Sequence, residues 1–375
     1  MLYFSFNAFI FLLNCIFTYA AFIPSGRLSH SSILNDRKLY FSGGMKFVNG
    51  TYNAYTNEFF YLDVSKPFTI TDNISIPWVD LTYTGGPQKL DATACIGGKN
   101  NDMVFIFGDY PNNQPFVSQF DTSKQQWIDI ASVGSVPTNR YSISCAGFNN
   151  GSIAIFSGYN ITNDLWIFNT LRLTWSLSNA TNAPLSRYSY QAITLPDDNI
   201  LYIGGFSNIT NSYMPMNNNT SGSTPPSRNS FSAILTPDGR IVIFGGHNSN
   251  TTFGDLWILD TTIYQWSVGS ILNPIVDLTL REHTATLVNN YMFVGFGIFS
   301  NSSVSSKIFM LDVSQKDSYK WVTKFVPNST DQATTIIPSP QNIGLVIGVT
   351  ICGIILLAVF IAAMILLLKF VDYVQ

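Results

Sequence analysis

Short apolar runs alternate with polar, glycine-punctuated stretches along most of the chain, and only near its two ends does apolar character become continuous. Six runs of strand length end on glycine: LYFSGG (39–44), MVFIFGD (103–109), IAIFSG (153–158), LYIGG (201–205), IVIFGG (241–246) and YMFVGFG (291–297). Runs this short, rich in branched and aromatic residues and bounded by turn formers, predict strands rather than helices. Upstream of most stands a polar strand opened by arginine, in GRLSHSS, NRYSISC, SRYSYQA, SRNSFSA and REHTATL. The interval is constant in three units, Arg140 to Phe156, Arg187 to Ile203 and Arg228 to Phe244. Downstream, a second alternating strand closes on an acid or amide (NEFFYLD, DLWIFN, DLWILD, KIFMLD), and a tryptophan follows. Asp63, Asp260 and Asp312 recur at that one place, which assigns them to turns rather than to chemistry.

Each unit therefore reads as four short strands, one blade of a radial sheet, which cannot bury both faces alone and needs neighbours on either side. The tryptophans mark the units at Trp78, Trp127, Trp175, Trp266 and Trp321, and the long interval from Trp175 to Trp266 lacks one. There the outer pair of strands gives way to NSYMPMNNNTSGSTPPS (211–227), a polar Pro- and Gly-bearing loop. The diglycines Gly43-Gly44, Gly204-Gly205 and Gly245-Gly246 supply positive φ and close backbone approach. These marks, an apolar strand ending in diglycine, an aromatic in the next strand and spaced tryptophans, resemble the kelch repeat over roughly Phe22 to Val326. The resemblance implies an all-β, galactose-oxidase-like β-propeller of six units with an incomplete fourth blade.

The ends add a compartment reading. Met1 to Ala20 carries FIFLLNCIF and closes Thr18-Tyr19-Ala20, the form of a signal peptide (1–20) cleaved after Ala20. Its amino-terminal stretch lacks Lys and Arg, so a retained anchor is the alternative. Ile343 to Leu368 is free of charge and, at about 1.5 Å per residue, spans roughly 39 Å, more than the ~30 Å hydrocarbon core. With Lys369 following, it reads as a transmembrane helix (343–368) with a short cytoplasmic tail (369–375), and 327–342 as a Ser/Thr/Pro-rich stalk below a propeller ectodomain (21–326). Candidate N-glycosylation sites, all between the two runs, are Asn49, Asn73, Asn150, Asn160, Asn179, Asn208, Asn218, Asn219, Asn250, Asn301 and Asn328. The expectation is a single-pass type I membrane glycoprotein of the secretory pathway or cell surface, of the kind common in fungi.

Composition narrows the partners. Charged residues are 11% of the chain and the formal charge is -3, without acidic or basic blocks, which gives no footprint for nucleic acid. Cys15 and Cys352 fall in the terminal runs, leaving Cys95 and Cys145 at matching places in consecutive units, either an interblade disulfide or two buried thiols. Gly344, Gly348, Ala358 and Ala362 give the apolar helix small-residue faces for homodimerisation.

Copper radical chemistry is the enzymatic alternative that the resemblance raises, as a degenerate carbohydrate oxidase. In that family a ligand histidine follows a tyrosine, whereas His30 follows Ser29, His247 follows Gly246 and His283 follows Glu282. His30 and His283 sit in the arginine-led strand and read as repeat positions bonding a neighbouring turn; His247 lies on a loop and could line a rim. No nucleophile elbow, HExxH helix or phosphate loop occurs. The reading is a non-catalytic protein without cofactor or metal whose propeller binds a protein or glycan, through loops such as Met45 to Thr56 and His247 to Gly254. An intracellular ubiquitin-ligase adaptor would need a BTB-type domain, which is absent from the sequence.

Overall fold

A computed structural model describes residues 21–328 except 49–50, 109, 112–113, 131–133, 138–139, 161, 179–182 and 217–219. One compact unit ends at Pro327. The stretches expected to be signal peptide, transmembrane helix and tail, and nearly all of the expected stalk, lie outside the described residues, as do Asn49, Asn179, Asn218 and Asn219.

The described chain folds into five antiparallel blades arranged in a ring. Blade 1 runs outward through Ser31–Asn35, Lys38–Ser42, Phe59–Asp63 and Trp78–Asp80, and blade 2 through Thr93–Gly97, Met103–Phe107, Val117–Asp121 and Gln126–Ile128. Blade 3 uses Cys145–Gly147, Ser152–Phe156, Leu165–Asn169 and Thr174–Ser178. Blade 4 uses Ser232–Leu235, Arg240–Phe244, Leu256–Asp260 and Gln265–Val268, and blade 5 Thr284–Val288, Tyr291–Gly295, Ile308–Asp312 and Lys320–Val322. Between blades 3 and 4 stands a two-stranded hairpin, Gln191–Thr194 with Ile200–Ile203. The expectation of six blades is thereby corrected to five. The stretch counted as a blade keeps an inner pair that packs between its neighbours, but among the described residues it has no outer pair and forms no blade of its own.

The polar stretch that replaces the missing strands is not a free loop. Ser221–Gly222 pairs in parallel with Gln265–Trp266, adding a fifth strand to blade 4, and the Met216 carbonyl accepts the Trp266 indole N–H at 3.0 Å. Ring closure comes from Phe68–Thr69 pairing with Lys324–Phe325, where Phe325 is fully buried among Phe68, Phe293 and Tyr291.

The second strand of each blade explains why the sequence shows continuous apolar runs there. Alternate side chains point to opposite faces, and both faces are covered by neighbouring blades. Leu39 and Phe41 enter the cluster shared with blade 5, while Tyr40 enters the one shared with blade 2. Burying a Phe or Leu contributes about 1.5–3 kcal/mol, so the wedges between blades hold the ring. Trp78, Trp127, Trp175, Trp266 and Trp321 all stand on outer strands and close those wedges. Asp63, Asp260 and Asp312 each accept a backbone N–H two residues on, at 2.9, 2.9 and 3.0 Å, and so set the turns.

Among the described residues no helix is long and apolar enough to cross a membrane.

Candidate functional site

Each inner strand and the hairpin's first strand are preceded at the ring's axis by one residue with positive φ: Ser29 (54°), Asp91 (51°), Ser142 (54°), Ser189 (50°), Ser230 (52°) and Glu282 (55°). None is glycine, so each conformation costs about 1–2 kcal/mol. A closed circle of backbone hydrogen bonds offsets this cost. Asp91 N donates to Ser29 O (2.9 Å), Ser142 to Asp91 (2.8 Å), Ser189 to Ser142 (2.7 Å), Ser230 to Ser189 (3.0 Å), Glu282 to Ser230 (3.0 Å) and Ser29 to Glu282 (3.0 Å).

The glycines and arginines of the repeat hold this collar in place. Gly44 (φ 93°) and Gly246 (φ 88°) bring the chain against its own inner strand; a methyl on Gly246 would lie 2.6 Å from the Phe231 Cβ and 2.7 Å from the Asn229 carbonyl. Gly43, Gly204, Gly205 and Gly245 likewise have positive φ. Arg140 and Arg228 are buried, each bidentate to an acid, Asp164 (2.8 and 3.0 Å) and Asp255 (2.5 and 3.0 Å). Arg27 pairs with Glu58, and Lys89 fills the same position in blade 2, donating to the Gly108 carbonyl at 2.5 Å. In blade 5 the register differs by one residue. Buried Leu280 takes the arginine position, and Arg281 stands on the face of the ring, bonding Glu282 at 2.8 Å.

Inside the collar lies a cavity of about 170 Å³ lined by Asp91, Glu282, His30, His283, Ser31 and Gln191 among others, with no lysine or arginine among the described residues that line it. Burial and the neighbouring Glu282 push the Asp91 carboxyl up to about 6, against hydrogen bonds from Ser29 and Ser142. Ser29 also donates to Glu282 at 2.9 Å, and its single proton serves one carboxylate at a time. The His30 and His283 rings occupy the interblade position held elsewhere by Ala92, Ile143, Tyr190 and Phe231, each against the glycine that ends its second strand. Their Nε2 atoms meet Thr284 Oγ1 (2.9 Å) and Ser232 Oγ (2.8 Å) of the preceding blade. Burial keeps both neutral, His283 down to about 3 and His30 well below the ordinary value.

Around the collar runs an arc of aromatic rings that sequence reasoning missed. Ring centroids step from Tyr55 to Tyr110 (5.4 Å), Tyr141 (4.7 Å), Tyr159 (4.9 Å), Tyr188 (5.1 Å), Phe206 (5.7 Å), Tyr213 (5.0 Å) and His247 (6.4 Å). The arc follows from the repeat: the residue before the collar residue pairs with a residue just after the strand-ending glycine, as in Tyr188 with Phe206 and Asn229 with His247. The signal for it in the sequence is the Arg-Tyr-Ser triplet that recurs at Tyr141 and Tyr188.

His247 thus sits at one end of the arc, partly buried, held down to about 4 by burial and by Arg281. Among the described residues no three His, Cys, Asp or Glu side chains are grouped to hold a metal ion. The Met45–Val48 and Thr51–Tyr55 strands form a hairpin that pairs with Arg27–Leu28 and delivers Tyr55 to the arc. Cys95 and Cys145, on the innermost strands of blades 2 and 3, are joined as a disulfide. Asn73, Asn150, Asn160, Asn208, Asn250, Asn301 and Asn328 are exposed.

Among known families, the profile of the KLHDC2/KLHL20/DRC7 Kelch-repeats domain matches residues 68–218 and 210–356. No curated protein matches. A solved structure described as "Structure of YjhT" is 13% identical with a TM-score of 0.59, covering 80% of this chain and 99% of that one, a likeness of fold alone. The family match corrects the expectation of a galactose-oxidase-like, type I membrane glycoprotein of the secretory pathway. It runs to residue 356, through the first half of the stretch read as a membrane helix. The match thereby also overturns the expected membrane anchoring, helix-mediated homodimerisation and secretory or cell-surface address.

Proposed function

Because the chain belongs to the KLHDC2/KLHL20/DRC7 Kelch-repeats domain family, we propose that it is a recognition module that holds a protein segment on the collar face of its ring. Domains of this family are typically non-catalytic scaffolds, and the chain is not an enzyme. The observation that supports this surface is the aromatic arc. Tyrosine supplies large contact area at low conformational-entropy cost together with a polar tip, and is enriched among residues that dominate binding energy. Seven partly exposed aromatic residues and His247 in continuous contact exceed what the packing of a single blade requires.

The test is binding of the full chain to displayed peptide and glycan libraries, followed by Tyr159→Ala with Tyr188→Ala. Selected peptides should lose at least about tenfold in affinity, the loss of one or more hot spots. Binding confined to glycans, or binding unaltered by the tyrosine variants and abolished by Leu177→Asp on an outer strand, would refute the assignment.

A further inference from the structure

The orientation of the rings along the arc restricts what can lie on it. Tyr110 and Tyr141 are tilted by 32° and Tyr141 and Tyr159 by only 20°, so along this stretch the ring faces cover one another. Beyond Tyr159 the rings turn across each other. Tyr188 stands at 68° to Tyr159, Phe206 at 52° to Tyr188 and Tyr213 at 90° to Phe206. Each of the two near-perpendicular pairs, Tyr159 with Tyr188 and Phe206 with Tyr213, forms a corner of one ring face and one ring edge, and all four residues are partly exposed. With 5.7 Å between Tyr188 and Phe206, the corners lie no more than about 11 Å apart along the arc. Tyr55 and Tyr110 also cross, at 73°, but their hydroxyls bond each other at 2.8 Å.

The polar groups restrict the occupant further. The hydroxyls of Tyr141, Tyr159, Tyr188 and Tyr213 have no hydrogen-bond partner among the described residues, and none is sealed from solvent. Burial of the rings raises the phenols of Tyr188 and Tyr213, which therefore stay protonated and can donate. The charged groups beside the arc are already engaged. Arg281 is held by Glu282, Lys46 by Glu58, and Asp91 takes hydrogen bonds from Ser29 and Ser142. A charged residue laid across the two corners would lose water and find no free counter-charge. The matching occupant is an uncharged extended chain with free carbonyls and apolar rings at a regular spacing. A polyproline II helix repeats every three residues, about 9 Å, and makes no internal hydrogen bonds, so its carbonyls stay available to donors. Aromatic-lined grooves suit such segments because the helix is preformed and loses little entropy on docking.

We propose that the arc from Tyr159 to Tyr213 is a groove for a proline-rich segment of a partner protein in the polyproline II conformation, with prolines three residues apart seated in its two corners. This rests on the protein-binding reading above and names the class of peptide. The Tyr188 and Tyr213 hydroxyls donate to the carbonyls of the segment, and the rings cover its prolines.

The experiment titrates the full chain with acetylated, amidated decaproline and with a Gly/Ser decapeptide, followed by NMR or tyrosine fluorescence, alongside peptide-library selection. Decaproline should bind at least tenfold more tightly than the Gly/Ser peptide. Tyr188→Ala should weaken decaproline at least tenfold, the loss of a hot spot. Tyr188→Phe with Tyr213→Phe keeps the rings and removes two donors; it should cost about two- to fivefold with an unchanged urea midpoint, the range of one or two modest hydrogen bonds. Tyr55→Ala, outside the groove, should change affinity less than twofold. Selected peptides that need Tyr188 but show no prolines three residues apart would overturn the polyproline assignment and leave the protein-binding surface standing. Decaproline binding untouched by Tyr188→Ala, or no decaproline binding, would overturn the groove. Binding confined to glycans would refute both the groove and the protein-binding surface.

Discussion

Replacing Asp91 by asparagine should make the protein more stable near pH 8 and leave it almost unchanged near pH 4. The folded-state carboxyl is raised from 3.8 to about 6 by burial and by Glu282. A group with a raised folded pKa contributes stability that is fully present below its unfolded pKa and is lost as pH rises through its folded value. At 1.36 kcal/mol per pH unit, a shift of about two units makes ionised Asp91 cost roughly 3 kcal/mol. Asparagine keeps the shape, tolerates a φ of 51°, and retains one acceptor for Ser29 or Ser142, so about 2 kcal/mol of that cost should be recovered. For a chain of this size, that raises Tm by about 4 °C, at roughly 2 °C per kcal/mol. Urea denaturation of both proteins between pH 4 and 8 measures it, and the gap should open between pH 4 and 7. Glu282→Gln in the same background should shrink the gap, since the repulsion is shared. A gap that is constant across pH, or a variant less stable at pH 8, would refute the account of Asp91 as a carboxyl raised by burial and by Glu282.

Other perturbations test the scaffold. His283→Phe, which installs the residue found at the same place in blade 4, should remove one proton from the acid unfolding profile. A histidine held at about 3 takes stability away as pH falls below 6.5, at about 1.4 kcal/mol per unit, and Phe does not. Arg228→Met should cost about 2–4 kcal/mol in urea denaturation, because Asp255, the Gly245 carbonyl and the ring of Phe253 (3.9 Å) all lose a partner; Asp255, 35% exposed, can rehydrate. Cys95→Ser with Cys145→Ser should destabilise the oxidised protein by up to about 4 kcal/mol, the chain-entropy value for a loop of 50 residues, with the same loss on adding reductant to the wild type. Gly246→Ala should cost more than Arg281→Ala, since only the former forces backbone against Asn229 and Phe231.

The sequence by itself determined that the chain is a ring of short, repeated β units. Strand length, strand-ending glycines and spaced tryptophans are local consequences of burial on both faces of a strand, and such periodicity survives in one dimension. It also marked the place between Trp175 and Trp266 where a unit lacks its outer strands. Everything that depends on which residues meet at the axis had to wait for the tertiary structure. The collar residues are Ser, Asp and Glu with no common side chain; what unites them is a backbone conformation and a circle of hydrogen bonds that close only when all six segments are in place. Arg281 looked like the arginines of the other repeats, and only the register against Ile298 showed that buried Leu280 fills their position and frees Arg281 for the face. The polar loop expected over 211–227 supplies a strand to blade 4 and covers Trp266, because the missing outer pair leaves that face of blade 4 without the neighbouring strands that cover it elsewhere in the ring. Repetition is legible along the chain; a site formed by one residue from each repeat becomes visible only where the repeats converge.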